Sequence, residues 1–370
     1  MNRSVWLRAG ATMALPLTML LAAAPAQAEK LDDDASFSLK LATALRERTF
    51  MRAGVIYVDV KTDSGEAYDV TGPVIRPGDI RAASDQNDPL YVDVIDHQNL
   101  AGDTLDAQMA IAGLSGLGAP PGVKARAGNL GTAAISIGHY LTDDFTWMVE
   151  AYVLALPLRA KIYGDGLNGT GKPNGINGKH ILSTKLLPPT VALGRYWGHK
   201  DAKFRPYTGV MGMYAIFFDT KPTATLNDYM GGTSPNDTSV SLKNAFGIGP
   251  SLGFKYQFND DWHVSFNIGS VKLKTEATLT TRNTQFTSRS AVLDDYPQPV
   301  LTAIKFTRDN FDGDPIYGPA YYATPEVGGA VTLFLKNVAT ERGGNLGTYV
   351  RKQQTTLNNT LMMFSVGRSF

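Results

Sequence analysis

The stretch LMMFSVGRSF, residues 361–370, decides the fold. Apolar side chains alternate strictly with small or polar ones, with Met362, Phe364 and Val366 on one face and Ser365, Gly367 and Ser369 on the other. Such a strand suits a wall that has lipid on one side and a lumen on the other. Because an unpaired strand edge is not tolerated in lipid, we expect this last strand to pair with the first and close a barrel.

The first 28 residues, MNRSVWLRAGATMALPLTMLLAAAPAQA, have the features of a secretory signal. Arg3 and Arg8 form a basic start, a short apolar run follows, and the run ends in the small-x-small tripeptide Ala-Gln-Ala. We predict a signal peptide over residues 1–28, cleaved after Ala28, and a periplasmic N-terminal arm over residues 29–49. No other stretch of 18 residues is apolar and uncharged, so we expect no helical membrane span.

Composition excludes several classes of function. Charged residues make up 19% of the chain, below the roughly 25% of soluble domains. The chain has no cysteine, which excludes disulfides, thiol catalysis and Cys-ligated metals. The net charge of +1 gives no reason to expect a nucleic-acid partner.

Alternating stretches predict an all-β, transmembrane, antiparallel up-and-down β-barrel of eight strands over residues 50–370. The strands are expected at 50–60, 130–141, 145–158, 190–197, 204–218, 246–258, 262–273 and the C-terminal stretch. Tight turns fall at 142–144, 199–202 and 259–261, whereas long connections cover 61–128, 163–187, 219–241 and 278–354. Short turns at one end and long extracellular loops at the other are typical of outer-membrane barrels.

The fourth long connection contains two further stretches that resemble strands, VLTAIKFT at 300–307 and VGGAVTLFL at 327–335. They would form a hairpin above the membrane or widen the barrel to ten strands. We favour the hairpin, because the segment between them is rich in Asp, Gly and Pro and would make a poor membrane strand.

Several motifs resemble those of the OmpW family of outer-membrane barrels. They are FMRAG (50–54), LPPT (187–190), KFRPYTGVMGMYAIFFDT (203–220), SLKNAFGIGPSLGFKYQFNDDWHV (241–264) and the ending FSVGRSF (364–370). LPPT followed by a strand, a short turn and FRPY is specific to the family. The resemblance covers the strands, about half of the mature chain, but the first and fourth loops are much longer than the family's usual ones. Arg368 stands where the family usually has an aromatic residue.

The resemblance implies a narrow apolar lumen in the outer membrane of a Gram-negative cell. Family members are held to pass small hydrophobic molecules across the lipopolysaccharide layer and to release them sideways into the outer leaflet; the AlkL branch does this for alkanes. Expected partners are therefore outer-membrane lipid, lipopolysaccharide and small hydrophobic molecules. The barrel-assembly machinery would be engaged through the C-terminal strand ending at Phe370.

Alternation also predicts which side chains face the lumen. The expected solute path consists of Ile56, Val58, Tyr152, Leu154, Leu156, Met211, Met213 and Phe217, although the same residues would equally fill a solid core. Nearer the short turns, Arg52, Glu150 and Lys255 would form a polar plug and neutralise one another. Pro157 cannot donate to a strand ladder, so it marks either a lateral opening or an ordinary strand end.

Nothing in the sequence points to catalysis. It has no nucleophile elbow, no convergent His–Ser–acid set and no histidines at metal-ligand spacing. We therefore expect no enzymatic activity and no cofactor. A structural or adhesive surface barrel, whose two enlarged loops bind a partner, is the alternative to a channel.

Overall fold

The computed structural model describes residues 48–79, 82, 92–154, 156–286, 290–311, 338–339 and 342–369. The predicted signal peptide, the cleavage site after Ala28, nearly all of the N-terminal arm, the stretch 327–335 and Phe370 lie outside these residues. Within the described ranges, no helix is long and apolar enough to cross a membrane.

The described residues form thirteen strands of one sheet. They are β1 (Thr49–Ser64), β2 (Tyr68–Asp69), β3 (Lys124–Ala127), β4 (Leu130–Tyr140), β5 (Trp147–Leu154), β6 (Leu158–Asp165), β7 (His180–Leu187), β8 (Thr190–Tyr196), β9 (Phe204–Pro222), β10 (Thr238–Leu242), β11 (Ala245–Gln257), β12 (Trp262–Thr281) and β13 (Tyr349–Ser369). Eight of them close a ring in the order β1, β4, β5, β8, β9, β11, β12, β13 and back to β1. The predicted eight-stranded barrel is confirmed.

The last strand closes the ring as expected. β13 pairs with β1 in antiparallel register from Phe50↔Ser369 to Ser64↔Thr355, and with β12 along its other edge. Phe364 and Val366 are exposed, whereas Ser365 is buried. The apolar face therefore points away from the interior, as the alternation predicted.

Tryptophans mark the end of the barrel that carries the β4–β5, β8–β9 and β11–β12 turns, here called the short-turn end. Trp147, Trp197 and Trp262 are all exposed there. Arg368 stacks over Trp262 at 6.0 Å from the ring centroid and bonds to Asp261 at 3.2 Å. The arginine at the family's aromatic position thus joins the girdle by a cation–π contact.

The β4–β5 turn is held by hydrogen bonds to Asp144. The carboxylate accepts from the Thr146 N–H at 3.0 Å and from the Thr146 hydroxyl at 2.6 Å. Hydrogen bonds from the Thr142 and Thr146 side chains and the Thr146 N–H lower the Asp144 pKa from 3.8 to about 2. The ionised carboxylate therefore stabilises the turn.

This turn is expected to loosen in acid. A depressed folded-state pKa contributes stability in full above the ordinary value of 3.8 and loses it as pH falls through about 2. We expect the NMR shift of the Thr146 amide to titrate with a midpoint near 2. Asp144→Asn should abolish that titration, and a midpoint at 3.8 would contradict the assignment.

The long connections are more structured than expected. Both ends of the predicted loop 163–187 are strand, because β6 and β7 pair as a hairpin around residues 166–179. β9 runs on to Pro222 and is followed by helix α2 (Ala224–Tyr229) and β10. Likewise β1 continues to Ser64 and β13 begins at Tyr349, so both enlarged loops are shorter than predicted. Strands continue beyond the ~10 residues needed to span a bilayer because paired backbone groups are also satisfied in water.

Two helices lie within the enlarged connections, α1 (Val92–Ile111) and α3 (Gln298–Phe311). The prediction of a strand at 300–307 is wrong, because this stretch is part of α3. Val300, Leu301, Ala303 and Ile304 are buried while Thr302 is exposed, and this spacing is that of a helix face rather than of alternation.

These segments form a folded cap on the end of the barrel opposite the short turns. The cap comprises β2, α1, β3, β6, β7, α2, β10, a 3₁₀ helix (Ala291–Asp295) and α3. Its hydrophobic core includes Ile75, Leu105, Met109, Leu117, Ile176, Leu226, Tyr229, Leu293, Tyr296, Val300, Ile304 and Leu346.

Buried polar contacts fix the parts of the cap to one another. Asp295 accepts hydrogen bonds from the Gly175 N–H at 2.9 Å and from the Tyr229 hydroxyl at 2.7 Å. Burial and the neighbouring Asp295 carboxylate raise the Tyr229 pKa, so the phenol keeps its proton and donates. The cap is therefore a packed structure rather than a set of independent loops.

Candidate functional site

A cavity of about 120 Å³ lies inside the barrel beneath the cap. Its lining is mostly apolar and includes Ile56, Val58, Tyr152, Leu154, Met211, Met213 and Phe217. These are seven of the eight side chains that alternation assigned to the solute path. The structure therefore holds a cavity where a completely filled core was the other interpretation.

Leu156 contradicts the expected inward facing. It is 68% exposed and lies between the end of β5 and the start of β6. Leu158, the first residue of β6, is buried and lines the cavity instead. Alternation fails here because residues 156 and 157 belong to no strand, so the chain leaves the two-residue period.

The cavity extends from the barrel into the cap. Its upper lining includes Ile181 and Leu182 of β7 and Leu226 of α2. The sequence interpretation missed these residues because they lie in segments that it treated as loops. Tyr152 and Asn267 line it on the side of the short turns.

An ion pair lies below the cavity. The Arg52 Nη1 contacts Glu150 Oε2 at 2.8 Å and Oε1 at 3.0 Å, and both side chains are buried. Glu150 also accepts from the Ser136 hydroxyl at 2.5 Å and the Tyr152 hydroxyl at 3.0 Å. Arg52 donates further to the Tyr196 hydroxyl at 2.8 Å. Both charges are thus compensated by a hydrogen-bond network, as a buried pair requires.

Lys255 does not join the neutral group that was predicted. Its Nζ donates to the Tyr140 hydroxyl at 3.2 Å and lies 5.6 Å from the centre of that ring. The sequence interpretation also missed Arg205, which is 2% exposed and donates to the Phe145 carbonyl at 2.9 Å. Arg205 is in the FRPY motif and shares its face with Tyr207, so alternation alone could have found it.

The plug therefore consists of charged groups set among aromatic rings. The rings are Phe50, Tyr140, Tyr196 and Tyr207, which pack together as one buried cluster. Arg205 lies 4.8 Å from the centre of the Tyr196 ring. Among the residues described at this level of the interior, the side chains of Arg52, Arg205, Lys255 and His263 accompany the single carboxylate of Glu150.

The barrel wall is interrupted beside the cavity. The β5–β8 ladder ends at Tyr152, and the β6–β7 ladder begins at Leu158. Pro157 lies between β5 and β6, and Pro188 and Pro189 lie between β7 and β8. None of the three has an N–H group to donate to a ladder. Pro188 also lines the cavity, so the interruption and the cavity adjoin.

The described part of the chain shows no cluster of three His, Cys, Asp or Glu side chains that could hold a metal ion. Arg52, Glu150 and Tyr152 are instead engaged with one another in the network below the cavity. What this arrangement offers chemically is a small, mostly apolar compartment with a few polar side chains in its lining, among them Asn267, Gln353 and Asn359.

The sequence of this chain is similar to those of known outer-membrane proteins. The model of the OmpW family matches residues 95–305, more than half of the chain. Outer membrane protein W of Vibrio cholerae is 30% identical over 146 residues, which are 39% of this chain and 59% of that protein. Outer membrane protein W of Escherichia coli is 30% identical over 155 residues, 40% and 65% respectively. Each match thus spans less than two thirds of the relative.

The fold also resembles solved structures of outer-membrane proteins. The crystal structure of the outer membrane protein OprG from Pseudomonas aeruginosa has 14% identity and a TM-score of 0.49, over 88% of this chain and 97% of that one. The solid-state NMR structure of AlkL has 13% identity and a TM-score of 0.40, over 94% and 95%.

The family match agrees with the eight-stranded barrel and with the motifs in its strands. The matched relatives carry the name of outer membrane proteins of Gram-negative bacteria, so the predicted location is confirmed. The chain belongs to the OmpW family.

Proposed function

We propose that this protein is a passive outer-membrane channel for small hydrophobic molecules, which leave it sideways into the outer leaflet. The observation that carries the proposal is the apolar cavity between the cap and the charged plug. The proposal concerns transport alone and includes no catalytic step.

The size of the cavity supports a small cargo. An engineered apolar cavity of ~150 Å³ stays dry and binds benzene. The cavity of about 120 Å³ found here is of similar size, so it suits one small ring or a short chain. An eight-stranded barrel has no room for a wide aqueous pore.

The plug supports sideways release. A hydrocarbon that continued toward the short turns would have to displace the Arg52–Glu150 pair and the aromatic cluster around it. The interruption at Pro157, Pro188 and Pro189 instead adjoins the cavity. Opening the wall there breaks fewer ladder hydrogen bonds than opening it elsewhere. In this proposal Pro157 marks the lateral opening, together with Pro188 and Pro189, rather than an ordinary strand end.

Membrane lipid surrounds the barrel, and lipopolysaccharide and small hydrophobic molecules remain the predicted partners. The contact between the C-terminal strand and the assembly machinery is likewise a prediction. The alternative, a surface barrel that binds a partner through its enlarged loops, has one observation in its favour: these loops form a cap with its own hydrophobic core.

Restoring the ladder tests the release step. Pro157→Val with Pro188→Val supplies two N–H groups, each hydrogen bond contributing about 1 kcal/mol. We expect uptake of radiolabelled toluene by cells displaying the variant to fall roughly tenfold or more, while toluene binding to the purified protein is unchanged. Pro250→Val changes an exposed proline in β11 that is paired with Val210, and it serves as the matched control.

The outcomes separate the parts of the proposal. Equal uptake by the double variant and the control would overturn sideways release at this interruption. Failure of the wild-type protein to bind or take up toluene would overturn the channel itself and favour the partner-binding alternative.

A further inference from the structure

The side of the cavity nearest the plug contains a buried acceptor without a partner. Asn267, on β12, lines the cavity and is 6% exposed. Its Nδ2 donates to the Tyr152 hydroxyl at 2.7 Å. Its Oδ1 is buried and has no hydrogen-bond partner. Such atoms are rare in folded proteins and call for an explanation.

The orientation of this amide follows from the ion pair below it. Glu150 is paired with Arg52, so its carboxylate is ionised and can only accept hydrogen bonds. The Tyr152 hydroxyl donates a hydrogen bond to Glu150 Oε2 at 3.0 Å. The phenol oxygen can therefore only accept a hydrogen bond from Asn267. The amide nitrogen must therefore face Tyr152, because the flipped amide would place two acceptors together.

The network thus turns the amide nitrogen toward Tyr152 and leaves Oδ1 as the unpaired acceptor on this side of the cavity. A ligand that is apolar throughout would leave Oδ1 without a partner. A ligand with one hydroxyl group would donate a hydrogen bond to Oδ1, while the rest of the molecule stays against the apolar lining. Met211 is on the adjoining wall, and its terminal atoms lie against Gly269, two residues along β12 from Asn267. Its long unbranched side chain can adjust to a ligand in this part of the cavity.

We propose that the preferred ligands are small alcohols and phenols, whose hydroxyl group donates to Asn267 Oδ1 while the hydrocarbon part lies against Leu154, Met211 and Met213. This inference rests on the proposed channel function and narrows its substrate class. An acceptor-only molecule of the same shape, such as a ketone or an ether, gains no hydrogen bond from Asn267 Oδ1.

Calorimetric titration of the refolded protein with three probes of similar shape tests the proposal. The probes are cyclohexanol, cyclohexanone and cyclohexane, each titrated into wild-type protein and into Asn267→Leu. Comparing the two proteins with one probe at a time cancels the partition of that probe into detergent. Asn359→Leu makes the same chemical change at another buried position of the lining and is the matched control.

We expect Asn267→Leu to weaken cyclohexanol binding roughly tenfold, the loss of one hydrogen bond, and to leave cyclohexane and cyclohexanone binding within about twofold. Asn359→Leu should show no such selectivity. An equal effect on all three probes, or none on cyclohexanol, would overturn the hydroxyl assignment while leaving the channel proposal intact. Failure of all three to bind the wild-type protein would overturn both.

A second comparison does not depend on how Asn267→Leu folds. In the wild-type protein, partition-corrected binding of cyclohexanol should exceed that of its methyl ether, in which the donor proton is replaced. Equal or tighter binding of the ether would overturn the proposal.

Discussion

Glu150→Ala is expected to lower the free energy of unfolding of the barrel by about 3–5 kcal/mol. The substitution removes the buried carboxylate that accepts from Arg52, Ser136 and Tyr152. Arg52 then stays in the interior as a charge without a counter-charge in contact with it. An unpaired buried ion costs more than the pair contributes, because its desolvation is no longer offset.

Urea-induced unfolding in lipid vesicles, followed by tryptophan fluorescence, measures this loss. Arg52→Met combined with Glu150→Leu is the informative control. Replacing both charges with apolar groups removes the desolvation cost, so the double variant should regain most of the stability lost in Glu150→Ala. A single variant within about 1 kcal/mol of wild type would show that water reaches the pair, contrary to its burial.

Leu154→Trp should reduce toluene uptake at least tenfold. Leu154 lines the cavity, and an indole in its place occupies the volume that a cargo molecule needs. The cost in stability is expected to be about 1–3 kcal/mol, the usual range for overpacking. The barrel should therefore still assemble, which its migration on unheated gels can verify.

Val153→Trp is the matched control for this variant. Val153 is the preceding residue of β5 and is 61% exposed on the opposite face. The same indole then points into lipid, where tryptophan is well tolerated near the interface. Uptake through Val153→Trp should equal that of wild type. If Leu154→Trp transports equally well, the cargo does not pass through this cavity.

Alternation in the sequence predicted the barrel and the facing of its strands. Met362, Phe364 and Val366 were assigned to the outer face, and the structure leaves Phe364 and Val366 exposed. The closing pair of first and last strands followed from the same pattern, because a strand in lipid cannot leave an edge unpaired.

Neighbours across the interior were harder to predict, because alternation gives the face of a residue but not its height along the barrel. Height depends on the stagger between strands. Arg52 and Glu150 meet, whereas Lys255 lies beside Tyr140. Arg205 is the cross-strand partner of Lys255, and it was not among the residues predicted to form the plug.

The cap was missed for a different reason. VLTAIKFT contains the apolar and β-branched residues of a strand, yet its buried residues follow the period of helix α3. The cap core is assembled from segments far apart in sequence, and no local pattern reveals such contacts. The predicted inward facing of Leu156 is wrong for a local reason, because strand β5 ends before this residue.

The closing pair of strands also determines when the protein becomes functional during its biogenesis. Gly54 pairs with Ser365, so the ring cannot close until almost the whole chain has been delivered to the membrane. Contacts between residues so distant in sequence carry a large loop-closure entropy and form slowly. β2 of the cap pairs with β13, so the cap is completed only after the last strand has reached the membrane. A chain interrupted during delivery would therefore present an open sheet with unpaired strand edges, which are prone to aggregation.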